Sequence, residues 1–235
     1  MLSAADATGR TTGGTDYARL AIYPSATLAQ FCVITAVFKL IDMVLTLPAA
    51  AVPPLFLFLS LRSRVFSFLS ASRPDRAAQD GKATPRDVKR PSWTPPGFAF
   101  PIIWITISML RASSSLLVWR ACGRTLASPA LLVLVAHLCV GDTWNCVSNV
   151  ERRLGTSALG VLVVLGSVYA AVAVYARTLP LAGALLAPSA VWISIASVLT
   201  WSIWSINEPR EPFLPQRGDG KSCAIRLPLS SPLEK

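Results

Sequence analysis

The chain has 235 residues, 53% hydrophobic and only 14% charged, with a net charge of +10 and a mean hydropathy of +0.52. A soluble globular domain carries about 25% charged residues, so this composition excludes an ordinary water-soluble fold. The charges cluster: residues 154–176 and 178–206 contain no Asp, Glu, Lys or Arg, and each run exceeds the roughly 20 residues a helix needs to cross a hydrocarbon core. The basic excess therefore bears on membrane topology and anionic lipid headgroups, and no aromatic-interleaved basic face supports nucleic-acid binding. Five cysteines without CxxC spacing and a single histidine, His137, supply neither a disulfide framework nor a multi-imidazole metal site.

Five membrane helices account for the apolar segments, which makes the predicted fold all-α. An N-terminal tail, 1–26, carries Asp6 and Asp16 and does not read as a transit peptide. The first span runs over 27–47 and continues, broken by Pro48, Pro53 and Pro54, to residue 61, giving a segment of 27–61. A long first loop follows over 62–97; its stretch from Arg62 to Ser92 carries eight basic and three acidic residues. Helices two to five occupy 98–206, at 98–119, 128–150, 156–176 and 181–206. Pro129 sits where a helix start needs no N–H, whereas Pro188 lies inside the fifth helix and is expected to kink it. A polar, Pro-rich tail, 207–235, is expected to be disordered. By the positive-inside rule the long loop and the C terminus face the cytosol and, with five spans, the N terminus lies across the membrane. Nothing in the sequence resolves organellar envelope, endoplasmic reticulum or plasma membrane.

The stretch Arg90-Pro-Ser-Trp-Thr-Pro-Pro-Gly-Phe at the end of the loop is the most informative. Pro91, Pro95 and Pro96 fix φ and hold their predecessors extended, so Trp93 sits in a stiff turn against the start of an apolar helix. This run, followed by Ile103-Trp104, resembles the first-loop-to-second-helix signature of the translocator protein family, also called tryptophan-rich sensory proteins or peripheral benzodiazepine receptors (TspO/MBR). Leu185-Leu-Ala-Pro-Ser-Ala-Val-Trp192 with Ala196, Leu199 and Ile203-Trp204-Ser-Ile-Asn207 looks like that family's fifth helix. Trp144 followed by Arg152-Arg-Leu-Gly155 stands where the family has a tryptophan-containing third helix and a short basic turn. The resemblance covers 90–207. It departs from the family pattern in the length of the first loop and in Gly141-Asp-Thr-Trp-Asn145, which places an acid in the third helix. Trp201 and Ser205 also stand where the animal cholesterol motif needs tyrosine and arginine, so sterol import is not expected.

The resemblance implies a five-helix TspO/MBR-type bundle whose first loop closes over a tryptophan-lined pocket. That pocket would bind tetrapyrroles (protoporphyrin IX or haem) or related flat lipophilic ligands, for sensing, transport or turnover, with no cofactor required. It implies ligand-binding positions at Trp93, Pro95, Pro96, Trp104, Trp144, Trp192, Ala196 and Leu199, and no catalytic or metal-ligating residue. An indole-lined pocket suits a planar ligand through stacking and area burial. Two other classes stay open: a tryptophan-assisted porphyrin-degrading enzyme, and a scaffolding membrane protein whose pocket has degenerated. Membrane lipid and a lipophilic small molecule are the expected partners, with a homodimer compatible with the small-xxx-small spacing of Gly166 and Ala170.

Charges inside spans invite a functional reading. Lys39 and Asp42, three apart, are expected to neutralise each other. Arg111 and Asp142 either pair across neighbouring helices or face the pocket, Arg111 towards a propionate carboxylate and Asp142 as a polar edge. His137 is expected to be a packed histidine, and Trp119, Trp201 and Trp204 to be interfacial belt residues.

Overall fold

The computed structural model describes residues 13–69, 88–221 and 225; expectations for 1–12, for the middle of the basic loop (70–87) and for 222–224 and 226–235 lie outside the described residues. The regular secondary structure of the described residues is helical, and the only β pairing among them is two isolated bridges. Six helices, not five, are long and apolar enough, with their flanking turns, to cross a membrane. They are α1 (Tyr17–Val44), α2 (Val52–Arg62), α3 (Ala99–Ala121), α4 (Pro129–Asn145), α5 (Leu154–Thr178) and α6 (Pro180–Ile206). Single 3₁₀ turns, Ala49–Ala51 and Ser63–Phe66, extend α2, and a π turn, Cys146–Val150, extends α4.

The extra helix is the proline-broken end expected for the first span. Leu45 leaves α1 in extended geometry and Pro48 holds the same geometry, so the chain reverses. Pro53 and Pro54 then sit in the first turn of α2, where a missing N–H costs nothing. The two helices form an antiparallel hairpin: Phe38 meets Phe56 edge-on at 5.9 Å, and Gln30 Nε2 donates to the Ser63 carbonyl at 3.0 Å. The start of α1 also lies ten residues before the expected one. Asp16 Oδ1 caps it by accepting from the Arg19 N–H at 2.9 Å, and Pro24 is accommodated inside.

Neighbouring helices pack in the order α1, α4, α5, α6, α3, α2, and side-chain contacts such as Phe38 on Phe56 link α2 back to α1. An even number of spans brings both described termini to one end of the bundle: Asp16 N–H donates to the Pro215 carbonyl at 2.8 Å, and Arg217 N–H to Gly14 at 3.1 Å. The N-terminal segment therefore shares an end with the long loop and the C-terminal segment, instead of lying across the membrane from them. At the opposite end Asp42 does not pair with Lys39; its carboxylate accepts the Leu126 and Ala127 N–H groups, both at 2.9 Å. Two converging backbone donors satisfy both oxygens and tie α1 to the α3–α4 turn, whereas Lys39 stays in an exposed position. Trp119, expected in an interfacial belt, is 1% exposed and belongs to the main core. Gly166 and Ala170 face outward, with open space around Gly166.

Residues 207–221, expected to be disordered, fold back over the end that holds the described termini. Phe213 packs on Trp204 with ring centroids 4.5 Å apart, Trp204 Nε1 donates to the Glu211 carbonyl at 2.8 Å, and Lys221 Nζ meets Glu211 Oε1 at 2.7 Å. Asp219 accepts from the Arg153 guanidinium and from the Lys221 N–H. Burial alone would raise the Asp219 pKa, but the Lys221 N–H and the Arg153 guanidinium outweigh it and hold the carboxyl below its usual range. A depressed folded-state value stabilises the closed tail at every pH above the ordinary carboxylate range of about 3.9, and that contribution disappears as pH falls through the lowered value. The tail is therefore expected to resist proteolysis down to about pH 4 and to become cleavable below it. Asp219→Asn should be cleaved at pH 7; equal resistance of variant and wild type at neutral pH would show that the carboxylate does not hold the tail.

Candidate functional site

Three of the expected ligand positions converge. Trp104 of α3, Trp144 of α4 and Trp192 of α6 belong to one apolar cluster with Phe100, Ile107 and Ile193. Phe100 stands edge-on to Trp192 at 5.8 Å. Trp144 Nε1 donates to the Ser157 carbonyl at 3.0 Å, and its ring lies over Gly160, where an added Cβ would come within 3.2 Å of it. That indole is anchored along its pyrrole edge. The Trp192 N–H is different: it is buried and has no hydrogen-bond partner, a state that costs about 1–3 kcal/mol. Ala196 and Leu199 continue the Trp192 face of α6 one and two turns on, Ala196 half-buried and Leu199 buried.

Trp93 stands apart from this cluster. It is 48% exposed in the proline turn, with Pro95 half-buried and Pro96 exposed. The turn closes through Thr94, whose N–H and Oγ1 both donate to the Pro91 carbonyl, at 3.1 and 2.7 Å. The chain entering it is clasped to the end of α6: Lys89 N–H donates to Asn207 Oδ1 and Asn207 Nδ2 to the Lys89 carbonyl, each at 2.9 Å. The proline turn is thus held at the bundle end from which α3 carries Trp104 inward.

The polar groups sort differently from the expected Arg111–Asp142 pair. Arg111, 3% exposed in the middle of α3, donates from Nε to Ser189 Oγ at 3.3 Å and from an Nη to His137 Nε2 at 3.0 Å. Its guanidinium lies 6.0 Å from the Trp104 ring centre. A guanidinium only donates, so His137 Nε2 accepts. Hydrogen-bond logic then assigns the proton to Nδ1, which donates to Ser167 Oγ at 2.9 Å, and that hydroxyl donates on to the Val164 carbonyl. His137 is therefore neutral, as a packed histidine that also orients Arg111. Asp142 is committed elsewhere. It accepts from Gln30 Nε2 at 2.8 Å and Ser63 Oγ at 2.5 Å and lies 3.9 Å from Arg64 Nε, tying α1 and the end of α2 to α4. The α1–α2 hairpin brings those groups to Asp142, which is why it does not serve Arg111.

Sequence reasoning missed Phe100, Ser108, Ser167, Ser189 and the clasp role of Asn207. Ser108 and Ser189 each lie three residues before a residue it did select, Arg111 and Trp192, so the spacing was visible. Serine in a membrane helix usually bonds its own preceding turn, as Ser194 and Ser197 do here, so the residue type carries no signal. Two hollows lie outside the tryptophan cluster. One is an open groove of about 620 Å³ between α5 and α6, lined by Leu162, Leu165, Ser197, Val198 and Trp201 among others. The other is a polar crevice of about 290 Å³ under the C-terminal segment, lined by Asp16, Arg19, Arg153, Asp219 and Lys221 among others.

Six apolar helices, four of which build an intramembrane tryptophan cluster, define a multi-pass integral membrane protein. Residues 64–205, more than half of the chain, match the model of the TspO/MBR family, and the chain belongs to that family. It is 28% identical to "Protein CrtK" of Rhodobacter capsulatus over 126 residues, covering 53% of this chain and 79% of that protein. It is 26% identical to the human "Translocator protein" over 122 residues, 51% of this chain and 72% of that one. The "Tryptophan-rich sensory protein" of Cereibacter sphaeroides is 25% identical over 121 residues, 52% of this chain and 75% of that protein. The matched residues contain α3 to α6 and the whole tryptophan cluster; α1 and α2 precede them.

Proposed function

We propose that this protein is a membrane receptor or carrier that binds a tetrapyrrole, porphyrin or haem, or a related flat lipophilic ligand between Trp104, Trp144 and Trp192. The observation that carries this reading is the convergence of three indoles from three helices around a buried, unpartnered Trp192 N–H. A planar ligand replaces the edge contact of Phe100 on Trp192 with ring-face contact, worth about 0.5–1.5 kcal/mol per aromatic pair beyond area burial. Family membership supports the same ligand class. The bundle end that holds both described termini also carries Arg19, Arg62, Arg64, Lys89, Arg90, Arg152, Arg153, Arg210, Arg217 and Lys221, against Lys39, Arg120, Arg124 and Arg177 at the other. By the positive-inside rule that basic end faces the cytosol, and the pocket is entered beneath the proline turn at that end.

Titrating the detergent-purified protein with protoporphyrin IX tests the reading through saturable quenching of tryptophan emission. Trp192→Ala is expected to weaken the fitted affinity by about tenfold, the equivalent of about 1.4 kcal/mol. Removal of the outlying Trp93 by Trp93→Phe should change it less than twofold. Linear quenching in the wild type, or the same affinity in Trp192→Ala, would remove the pocket from this cluster.

A further inference from the structure

We infer that Arg111 is the receptor for a carboxylate on the ligand, so that this protein selects amphiphilic planar acids over their neutral esters. The inference rests on the ligand-pocket reading and adds to it a chemical requirement. It starts from a charge imbalance. Arg111 lies at the middle of a membrane-crossing helix, 3% exposed, and its hydrogen-bond partners are a serine hydroxyl and a neutral imidazole. No carboxylate among the described residues lies within 4.0 Å of it; Asp142 is held by Gln30, Ser63 and Arg64. An uncompensated cation in a low-dielectric interior is costly, and such residues mark ligand or ion paths by default. The Trp104 ring face and two neutral acceptors offset only part of that cost.

Two further polar atoms lack partners, and both lie one helical turn from this group. Ser108 Oγ is fully buried and unpartnered, three residues before Arg111 on α3. The Trp192 N–H is buried and unpartnered, three residues after Ser189 on α6. Residues three apart share a helix face, so a cation, a hydroxyl and an indole N–H gather where α3 meets α6. All three are donors. A carboxylate takes a charge-assisted bond from the guanidinium and has lone pairs left for the other two. A neutral ester offers only weaker acceptors and leaves the charge uncompensated. His137, held in one tautomer by Ser167, keeps the guanidinium aimed and adds no negative charge of its own.

The test compares matched acid and neutral ligands on the full-length protein in detergent: protoporphyrin IX against its dimethyl ester, and pyrenebutyric acid against pyrenebutanol. The wild type is expected to bind each acid at least tenfold more tightly than its neutral counterpart. Arg111→Gln should reduce that ratio to below twofold while leaving ester and alcohol affinities unchanged, and Arg111→Lys should keep part of it. Ligand-free Arg111→Gln should melt no lower than wild type, because it removes an uncompensated charge; a purely structural arginine would melt lower. Ser108→Ala, which deletes a hydroxyl with no partner, should weaken the acids a few-fold and spare the esters. Equal affinity for acid and neutral forms in the wild type, or a ratio that survives Arg111→Gln, overturns the inference while leaving the pocket reading intact. Arg111-dependent binding of the pyrene acid without protoporphyrin binding upholds the inference and removes the tetrapyrrole. Binding of neither acid removes both.

Discussion

Replacing Glu151 by alanine is expected to cost about 3–5 kcal/mol, the range for removing one partner of a buried ion pair. The Glu151 carboxylate lies 3% exposed at the turn between α4 and α5. It accepts from the Tyr23 hydroxyl at 2.5 Å and from Arg153 Nε at 2.8 Å, with Arg19 Nε 3.3 Å from its other oxygen. Side-chain exposures of 10% for Arg19 and 3% for Arg153 leave little water to take over when the carboxylate goes. Alanine would leave the Tyr23 hydroxyl without its acceptor and take a buried carboxylate from both Arg19 and Arg153, of which Arg153 keeps Asp219. The damage would also spread, because this cluster joins the start of α1 to the α4–α5 turn and, through Arg153 and Asp219, to the C-terminal segment. Thermal unfolding in detergent should show a fall on the order of 10 °C, taking 2–4 °C per kcal/mol for a chain of this size. A shift below about 3 °C in Glu151→Ala would mean that the cluster is solvated and contributes little.

Gly183→Leu is expected to prevent stable folding, and Gly183→Ala to cost about 1–3 kcal/mol by overpacking. Gly183 lies in the first turn of α6, and a Cβ added there would sit 2.4 Å from Ala176 Cβ and 2.6 Å from Ala176 Cα. The obstacle is backbone as well as side chain, so no rotamer change relieves it. Only Leu179 separates α5 from α6, so the two helices cannot slide apart locally. Gly166→Ala supplies the matched control. A Cβ on Gly166 meets open space, and alanine in a helix interior is favoured over glycine by roughly 0.5–1 kcal/mol. Melting temperature and monodispersity on size exclusion should therefore move in opposite directions for the two alanine variants. Equal behaviour would mean that the tight α5–α6 turn has room the geometry does not show.

Helices α3 to α6 were legible because a lipid-crossing helix writes itself as a long uncharged run, and the sequence placed each of their ends within two residues once the π turn Cys146–Val150 is counted with α4. The first span was not. Pro48, Pro53 and Pro54 signal a break, but whether a broken helix continues or reverses depends on what receives the second half. Here Phe56 packs on Phe38, and Ser63 reaches Gln30 and Asp142. The start of α1 was hidden for a related reason. Arg19 and Asp16 look like tail residues until Glu151, 132 positions after Arg19, supplies the counter-charge.

The same division holds at the candidate site. Trp104, Trp144 and Trp192 could be selected from the sequence because each sits at a recognisable place in a family motif, and the structure gathers them. Trp93 was selected on the same grounds and lies outside the cluster, since a stiff proline turn sets the direction of the chain and not the depth of its side chain. Charge pairing was the least legible feature: Lys39, Asp42, Arg111 and Asp142 were matched by nearness in sequence or helix order, and none of those pairs forms. A buried charge takes whichever donors or acceptors the packed helices bring within about 3 Å, and that choice is made between elements remote in sequence. Composition and uncharged-run length determined by themselves that this protein lives in a membrane as helices, because lipid offers the backbone no other partner. Only the tertiary structure decided that there are six membrane-length helices with both described termini at one end, and that Arg111 lies beside Trp104 with no carboxylate among the described residues within 4.0 Å, because those outcomes depend on contacts between residues far apart in the chain.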